Sequence, residues 1–513
     1  MAASCGRRRG RFAGGGGGPM MASIYSMVAL VLVLVACVEL GDAAAAVDVY
    51  RLIQYDLAGS PFGSRLASLN HHAGAFPFAP GADLSRTAVI IPVRELDLSF
   101  LRDYITNSKP LGGLLLLLPQ KISEKIGQVR NILAEVEHLL LHANIPYPVY
   151  FAYEDDKVEA LLMDIRRSDI AGQPATATTG GFKLVVSSSE PKKVTSPTIS
   201  NIQGWLLGSK GEGDANQLPT IAIVANYDTF GAAPALSMGS DSNGSGVVSL
   251  LEIARLFSHL YSNPNTRGKY NLLFGLTSGG PYNFNGTNKS FSDVAKEMGV
   301  TLGIKHKKIN VSNSRVAWEH EQFSRFRVTA ATLSELSAPT ELLESAGGLH
   351  DTGKLVDEKA IYRSVKLVAE SLARHIYGHQ GRNIDIFADN SNLAVNPHYI
   401  SSWLNLLSRT PRVAPFLSKN DPFIAALQKE LSEHTVEVHV QHEVLDGIFT
   451  FYDSTKARLN VYQVAGVTFD LLFLLVLGSY LIILFSLLVI TTRGLDDLIN
   501  IFRRPPSRKS KAV

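Results

Sequence analysis

From Leu471 to Ile490 the sequence reads LLFLLVLGSYLIILFSLLVI, an apolar run without a single charge. About 20 such residues are what a helix needs to cross the hydrocarbon core of a bilayer. One end of this chain is therefore expected to be a membrane anchor, and the rest must fold around that constraint. Beyond the run, Arg493, Arg503, Arg504, Arg508, Lys509 and Lys511 outnumber Asp496 and Asp497. Basic flanks stay cytoplasmic, so the reading is a single-pass, type I protein with a transmembrane helix over 467–490, a basic cytoplasmic tail over 491–513 and most of the chain lumenal. The terminal KSKAV carries lysines at the third and fifth positions from the end. That pattern resembles a dibasic endoplasmic-reticulum retrieval signal and also suits a plain solvated basic tail.

At the other end, Arg7, Arg8, Arg9 and Arg11 precede the apolar run MVALVLVLVACV (Met27–Val38) and the small residues Ala43–Ala46. Basic, apolar and small, in that order, is the layout of a secretory signal peptide, assigned here to 1–46. The chain's two cysteines, Cys5 and Cys37, both fall inside it. The expected lumenal region, some 420 residues long, thus has no disulfides and depends on buried cores, with room for two or three domains. A net charge of +3 without a basic patch interleaved with aromatics gives no argument for nucleic acid. Sequons at Asn243, Asn285, Asn288 and Asn310 make glycosylation plausible in that compartment.

Short apolar runs alternate with helical patterns after Thr87. AVIIPV (88–93), LLLLL (114–118) and YPVYFA (147–152) read as strands. Ile122, Ile126, Val129, Leu133, Val136 and Leu140 recur at helical spacing between the last two. This pattern predicts an N-terminal α/β domain over 47–171. A Ser/Thr/Pro/Gly-rich passage makes 172–200 a linker. A second α/β block over 201–378 contains IAIVAN (221–226) and YNLLFGL (270–276) as strands. Its helices carry inward stripes through Val247, Leu250, Leu251, Ala254 and Phe257, and later Ile361, Val365, Val368, Leu372 and Ile376. The region 379–466 reads as helical and irregular, without a motif.

The stretch NYDTFGAAPALSMGSDSNGSG (226–246) places Asp228 just after a strand and a Gly-rich turn before a Leu-rich helix, where open parallel sheets bind ligands. In order and spacing, residues 201–377 resemble the zinc aminopeptidase family that includes bacterial secreted aminopeptidases, glutamate carboxypeptidase and the transferrin receptor. The resemblance implies an α/β fold: an aminopeptidase-like, mostly parallel sheet flanked by helices, beside the smaller N-terminal α/β domain and the one transmembrane helix. It also shows which positions have lost their chemistry. The family's first ligand His falls on Asn226 and its bridging Asp on Ser242, with Asp241 one residue out of register. Its Glu-Glu pair falls on Gly280 and Pro281. Asp228 and His350 alone match. A further ligand-bearing strand is expected after Gly286 and no such strand can be recognised.

A two-metal hydrolase needs ligands on both ions, a bridging carboxylate and a general base. One imidazole and one carboxylate do not supply them, so no metal, no catalytic residue and no cofactor are assigned. Membrane-anchored chains that keep this fold without its metals form the nicastrin-like branch of the family. Its short, disulfide-free form implies a non-catalytic scaffold in the endoplasmic-reticulum membrane. The partners it implies are the Nodal modulator protein, a small multi-pass membrane protein and the translocon and ribosome-associated machinery for inserting multi-pass proteins. Two other readings stay open from the residues: an active zinc-dependent aminopeptidase with an unusual ligand set, and a receptor-like or lectin-like ectodomain.

Overall fold

The computed structural model describes residues 45–499 apart from 79–80, 108, 121–125, 171–180, 189, 210–217, 279–315, 317, 335–346, 379–384, 445–448, 454–455, 465–466 and 496–498. Along the first part of the chain run β1 (Ala45–Arg51), β2 (Gln54–Leu57), β3 (Ser60–Ser64), β4 (Leu69–Ala75), β5 (Thr87–Pro92), α1 (Leu98–Ile105), β6 (Gly113–Pro119), α2 (Ile126–Leu141), β7 (Asn144–Ile145), β8 (Val149–Glu154) and α3 (Asp156–Ile170). The middle contains β9 (Gly181–Val186), β10 (Thr198–Leu206), β11 (Thr220–Asn226), α4 (Ser245–Ser262), β12 (Asn271–Thr277), α5 (His320–Arg325) and α6 (Glu358–Tyr377). Last come α7 (Pro397–Leu407), α8 (Pro422–His434), β13 (Val436–Val444), β14 (Phe449–Phe451), β15 (Lys456–Val464) and α9 (Val467–Arg493).

The N-terminal lobe is a closed barrel in the order β1-β15-β9-β4-β5-β6-β8. β4, β5, β6 and β8 are parallel neighbours, and cover on both faces explains the unbroken apolar runs of β5, β6 and β8. Val89, Ile91, Leu114, Leu116 and Leu118 pack with the buried stripe of α2. Ile90, Leu115 and Leu117 point the other way, toward Val158, Leu162 and Ile165 of α3.

The barrel departs from the sequence expectation in how it closes. β9 lies inside the passage read as a linker, and β15 comes from the C-terminal region read as irregular, yet each supplies a barrel strand. Ala45 and Ala46, placed in the expected leader, already pair with Val461 and Asn460. The physical reason is local: short strands with mixed faces, such as GFKLVV, gain their stability from distant partners and leave little periodic signal of their own.

The second lobe has a four-stranded sheet ordered β11-β12-β10-β13. Only β11 and β12 are parallel, and β10 runs antiparallel to both of its neighbours. The expectation of a mostly parallel sheet is corrected here: the sheet is mixed, because the chain enters it through β10 and returns to it from α8 through β13. Its core joins Leu272, Phe274 and Leu276 to Val247, Leu251 and Phe257 of α4, Val365 and Ala369 of α6, and Leu427 and Leu431 of α8. Helix ends are set by ordinary caps: Asp357, Asn396 and Asp421 each accept from backbone N–H groups at the starts of α6, α7 and α8. At the C-terminus α9 projects with Leu471, Leu472, Leu474 and Leu475 all at least 60% exposed, and Leu471–Thr492 is long and apolar enough to cross a membrane.

Candidate functional site

The residues singled out from the sequence converge beyond the carboxyl ends of β11 and β12. Asn226 ends β11, and its Oδ1 is buried without a hydrogen-bond partner. Asp228 is fully buried. Ser240–Gly244 forms a wide π-type turn that runs straight into α4, a local widening of the helix often found where helices carry sites. Gly239 precedes the turn with φ 56°, and a Cβ on Gly347 would come within 2.3 Å of its Cα. Glycine at this crossing is therefore a steric requirement.

Asp351 organises the turn. One of its oxygens accepts from the N–H of Asp241 at 2.8 Å, and the other accepts from the N–H and hydroxyl of Ser242 at 2.9 and 2.5 Å. A carboxylate at the start of a helix is favourably placed against the dipole and the free N–H groups. Ser242, the position of the family's bridging carboxylate, thus spends its hydroxyl on a protein carboxylate.

His350 is engaged by the other lobe. Its Nδ1 lies 3.0 Å from Oε2 of Glu137, a fully buried carboxylate of α2 in the other lobe. The same Glu137 accepts from the N–H groups of Ala232 and Leu349, each at 2.9 Å. Burial opposes charge on the His350 ring, but the hydrogen bond and charge of Glu137 outweigh it and raise the pKa. The imidazole that matches a metal ligand is here half of a contact between lobes.

Arg412 was not singled out from the sequence. It is fully buried, and its guanidinium donates to the carbonyls of Tyr227 at 2.7 Å, Leu407 at 2.6 Å, Gly239 at 2.9 Å and Thr410 at 3.3 Å. The Asp351 and Asp228 carboxylates are its electrostatic neighbours. Burial pushes the guanidinium down to about 10, which still leaves it charged at neutral pH. Glu319, in the WEHEQF segment, lies near the same place, 3.5 Å from the Thr277 hydroxyl. Burial, with the charge of Asp228 adding to it, pushes its carboxyl up to about 7.

These residues do not fit a zinc pair. Neither a carboxamide at Asn226 nor a serine hydroxyl already bound to Asp351 is a zinc donor of the usual kind, and a fixed guanidinium supplies the positive charge next to Asp228. Among the described residues, no three His, Cys, Asp or Glu side chains are grouped as a metal would need them. Gly280 and Pro281 lie outside the described residues, as do Asn285, Asn288 and Asn310. Asn243, expected as a glycan site, is described: the residue is 8% exposed and its Nδ2, the atom a glycan would occupy, donates to the carbonyl of Asp228 at 2.6 Å.

Sequence reasoning missed two residues, and a signal existed for each. Glu137 interrupts the buried stripe of α2 between Val136 and Leu140, where a lone carboxylate calls for a buried partner. Arg412 stands alone in the apolar, proline-flanked TPRVAPF.

No family model matches the chain. BOS complex subunit NCLN from Rattus norvegicus is 33% identical over 89% of this chain and 91% of the relative. The Homo sapiens protein of that name is 31% identical over the same shares. Nicalin from Caenorhabditis elegans is 26% identical over 64% of this chain. Among solved structures, the crystal structure of the γ-secretase component nicastrin matches with a TM-score of 0.54 over 81% of this chain, at 8% identity, so the likeness is one of fold. With identity above 30% across nearly the whole length of both chains, this chain belongs to the nicalin family, whose vertebrate members carry the name BOS complex subunit NCLN.

Proposed function

We propose that this chain is a non-catalytic, membrane-anchored scaffold subunit of a BOS-type complex. The observation that carries the reading is the buried Arg412 guanidinium beside Asp228 and Asp351, where a hydrolase of this fold would need metal charge. A general base and an activated water require a site open to substrate and metal. Here Ser242 is held by Asp351 and His350 by Glu137 of the other lobe. The names of the relatives agree with a subunit's role. The partners in this reading are a Nodal-modulator-type lumenal protein and a small multi-pass membrane protein, together with the translocon machinery for multi-pass insertion. The location is the endoplasmic-reticulum membrane with the bulk of the chain in the lumen.

The test is co-purification from mild detergent with the full chain as bait. Replacing Leu471–Ile490 by an unrelated span should reduce recovery of membrane partners, and undiminished recovery would refute the helix's role. Metal analysis of the same material should find zinc well below one per chain. Stoichiometric zinc that is lost on Asp228→Ala or His350→Ala would restore the aminopeptidase reading.

A further inference from the structure

The barrel and the membrane helix are joined by very little chain. β15 ends at Val464 inside the barrel, α9 begins at Val467, and the span begins at Leu471. Helical Val467–Asp470 rises about 6 Å. Residues 465–466 bridge at most about 10 Å even when fully extended. The polar layer outside the hydrocarbon is itself about 5–8 Å deep. The end of β15 therefore cannot stand far above the headgroups.

Strand register shows which end of the barrel this is. Val464 pairs with Gly181 at the start of β9, and Val461 pairs with Ala45 at the start of β1. β9 runs antiparallel to β4, with Lys183 opposite His72, so the carboxyl end of β4 lies on the Gly181 side. β5, β6 and β8 follow β4 in parallel. All four parallel strands therefore point their carboxyl ends toward the anchor. That end of a parallel sheet is the one from which loops reach ligands.

The rim's chemistry suits a lipid boundary. Phe76 and Phe78, which follow β4, and Phe182 of β9 are partly exposed apolar residues, with Pro77 exposed between the first two. Several charges at this end are cross-paired. Arg94 lies 2.7 Å from Glu154, and Arg166 binds Glu95 while donating to the Phe76 carbonyl at 3.3 Å. Aromatic residues beside paired charges can approach an interface without stranding those ions, while Asp156 and Lys157, exposed at the start of α3, stay in the polar headgroup layer.

We propose that this rim is a membrane-contact surface, on which the N-terminal lobe rests with the carboxyl ends of β4, β5, β6 and β8 against the phospholipid headgroups where α9 enters. The inference rests on α9 spanning the membrane and goes beyond it, by fixing which pole of the lobe meets lipid. β15 provides its own ruler: Lys456 and Gln463 are both exposed on the same strand, about 23 Å apart.

The experiment uses the full chain with Cys5 and Cys37 replaced by Ser, reconstituted alone in phosphatidylcholine nanodiscs. A fluorophore is placed at Gln463→Cys, Lys456→Cys or Ser479→Cys. The Ser479 probe should be quenched by acyl-chain nitroxides. The Gln463 probe should be quenched by a headgroup nitroxide several-fold more strongly than the Lys456 probe. Equal quenching of the Gln463 and Lys456 probes, with Ser479 quenched, overturns the contact surface alone. An unquenched Ser479 probe overturns the spanning helix and this inference with it.

Discussion

Removing the Arg412 guanidinium should expose how much of the second lobe depends on it. In Arg412→Ala, the carbonyls of Tyr227, Leu407 and Gly239 each lose a charge-assisted donor inside the protein. Each unsatisfied buried group costs about 1–3 kcal/mol. Asp228 and Asp351 at the same time lose the cation beside them, and an uncompensated buried charge costs about 3–5 kcal/mol. The terms share one site and do not add, and water entering the vacated space recovers part of the loss. A net cost of about 4–5 kcal/mol remains, a large part of the ~5–15 kcal/mol that holds a domain together. At about 2–4 °C per kcal/mol for a lobe of this size, the unfolding midpoint of the intact chain in detergent should fall by roughly 8–20 °C. Arg412→Lys keeps the charge but not the planar fork that reaches carbonyls on several sides, so its loss should be about half as large. Intrinsic-fluorescence melting of the two variants checks both. A fall of under ~3 °C for the alanine variant, or a lysine variant as damaged as the alanine one, would refute the reasoning.

Glu319 makes the opposite prediction. A carboxyl raised from 4.5 to about 7 imposes a cost that grows as pH rises from 4.5 and is complete above 7. Glu319→Gln should therefore stabilise by roughly 2–3 kcal/mol at pH 8 and by almost nothing near pH 4.5, and equal shifts at both pH values would contradict it. For His350 the sign is reversed: a raised imidazole pKa stabilises fully below 6.5, and that contribution is lost as pH climbs through the folded value. His350→Gln should cost about 1–2 kcal/mol more at pH 6 than at pH 8.5, measured by denaturant unfolding. Asn243→Gln should leave glycan-dependent gel mobility unchanged while lowering stability by about 1–2 kcal/mol; a mobility shift would show that the buried amide is modified. Restoring the family ligands with Asn226→His and Ser242→Asp should not produce stoichiometric zinc while Arg412 remains, since a dication beside Asp228 would meet the charge of the fixed guanidinium. Metal analysis after dialysis decides that case.

What could be read from the sequence followed from periodicity. The parallel strands β5, β6 and β8 announce themselves because burial on both faces forces unbroken apolar runs, and β11 and β12 do so as apolar runs of strand length. α4 and α6 do so through their stripes, and α9 through its length alone. The strands that close each sheet were less legible. GFKLVV carries no strong pattern and becomes a strand because Leu459, far away in sequence, offers it a register, whereas VEVHVQHEV alternates as an exposed strand does at Glu437, His439 and Gln441 but leaves its partner, β10, unannounced. The site divides in the same way. Losses were visible at Asn226 and Ser242, because an absent ligand is a property of one position. Replacements were not: Glu137 and Arg412 act through partners more than two hundred and about one hundred and eighty residues away, respectively.

The replacements also explain why the fold survives without its metals. A pair of divalent ions would hold the β11 loop, the turn before α4 and the segment at His350 together by ligation. Here each of those tasks has a protein group. Arg412 ties the Tyr227 carbonyl to that of Gly239. Asp351 ties its own segment to the turn through Asp241 and Ser242, and Glu137 ties Leu349 and His350 to α2. Each link is charged and buried, so each fixes a geometry while removing a group that chemistry would need. A guanidinium cannot accept a proton or bind a substrate oxygen as a Lewis acid, and the Nδ1 of His350 is committed to Glu137. On the scaffold reading proposed above, the residues that tie these segments together are the same ones that occupy the place of a hydrolase's ligands, and selection for a stable scaffold would favour both outcomes together.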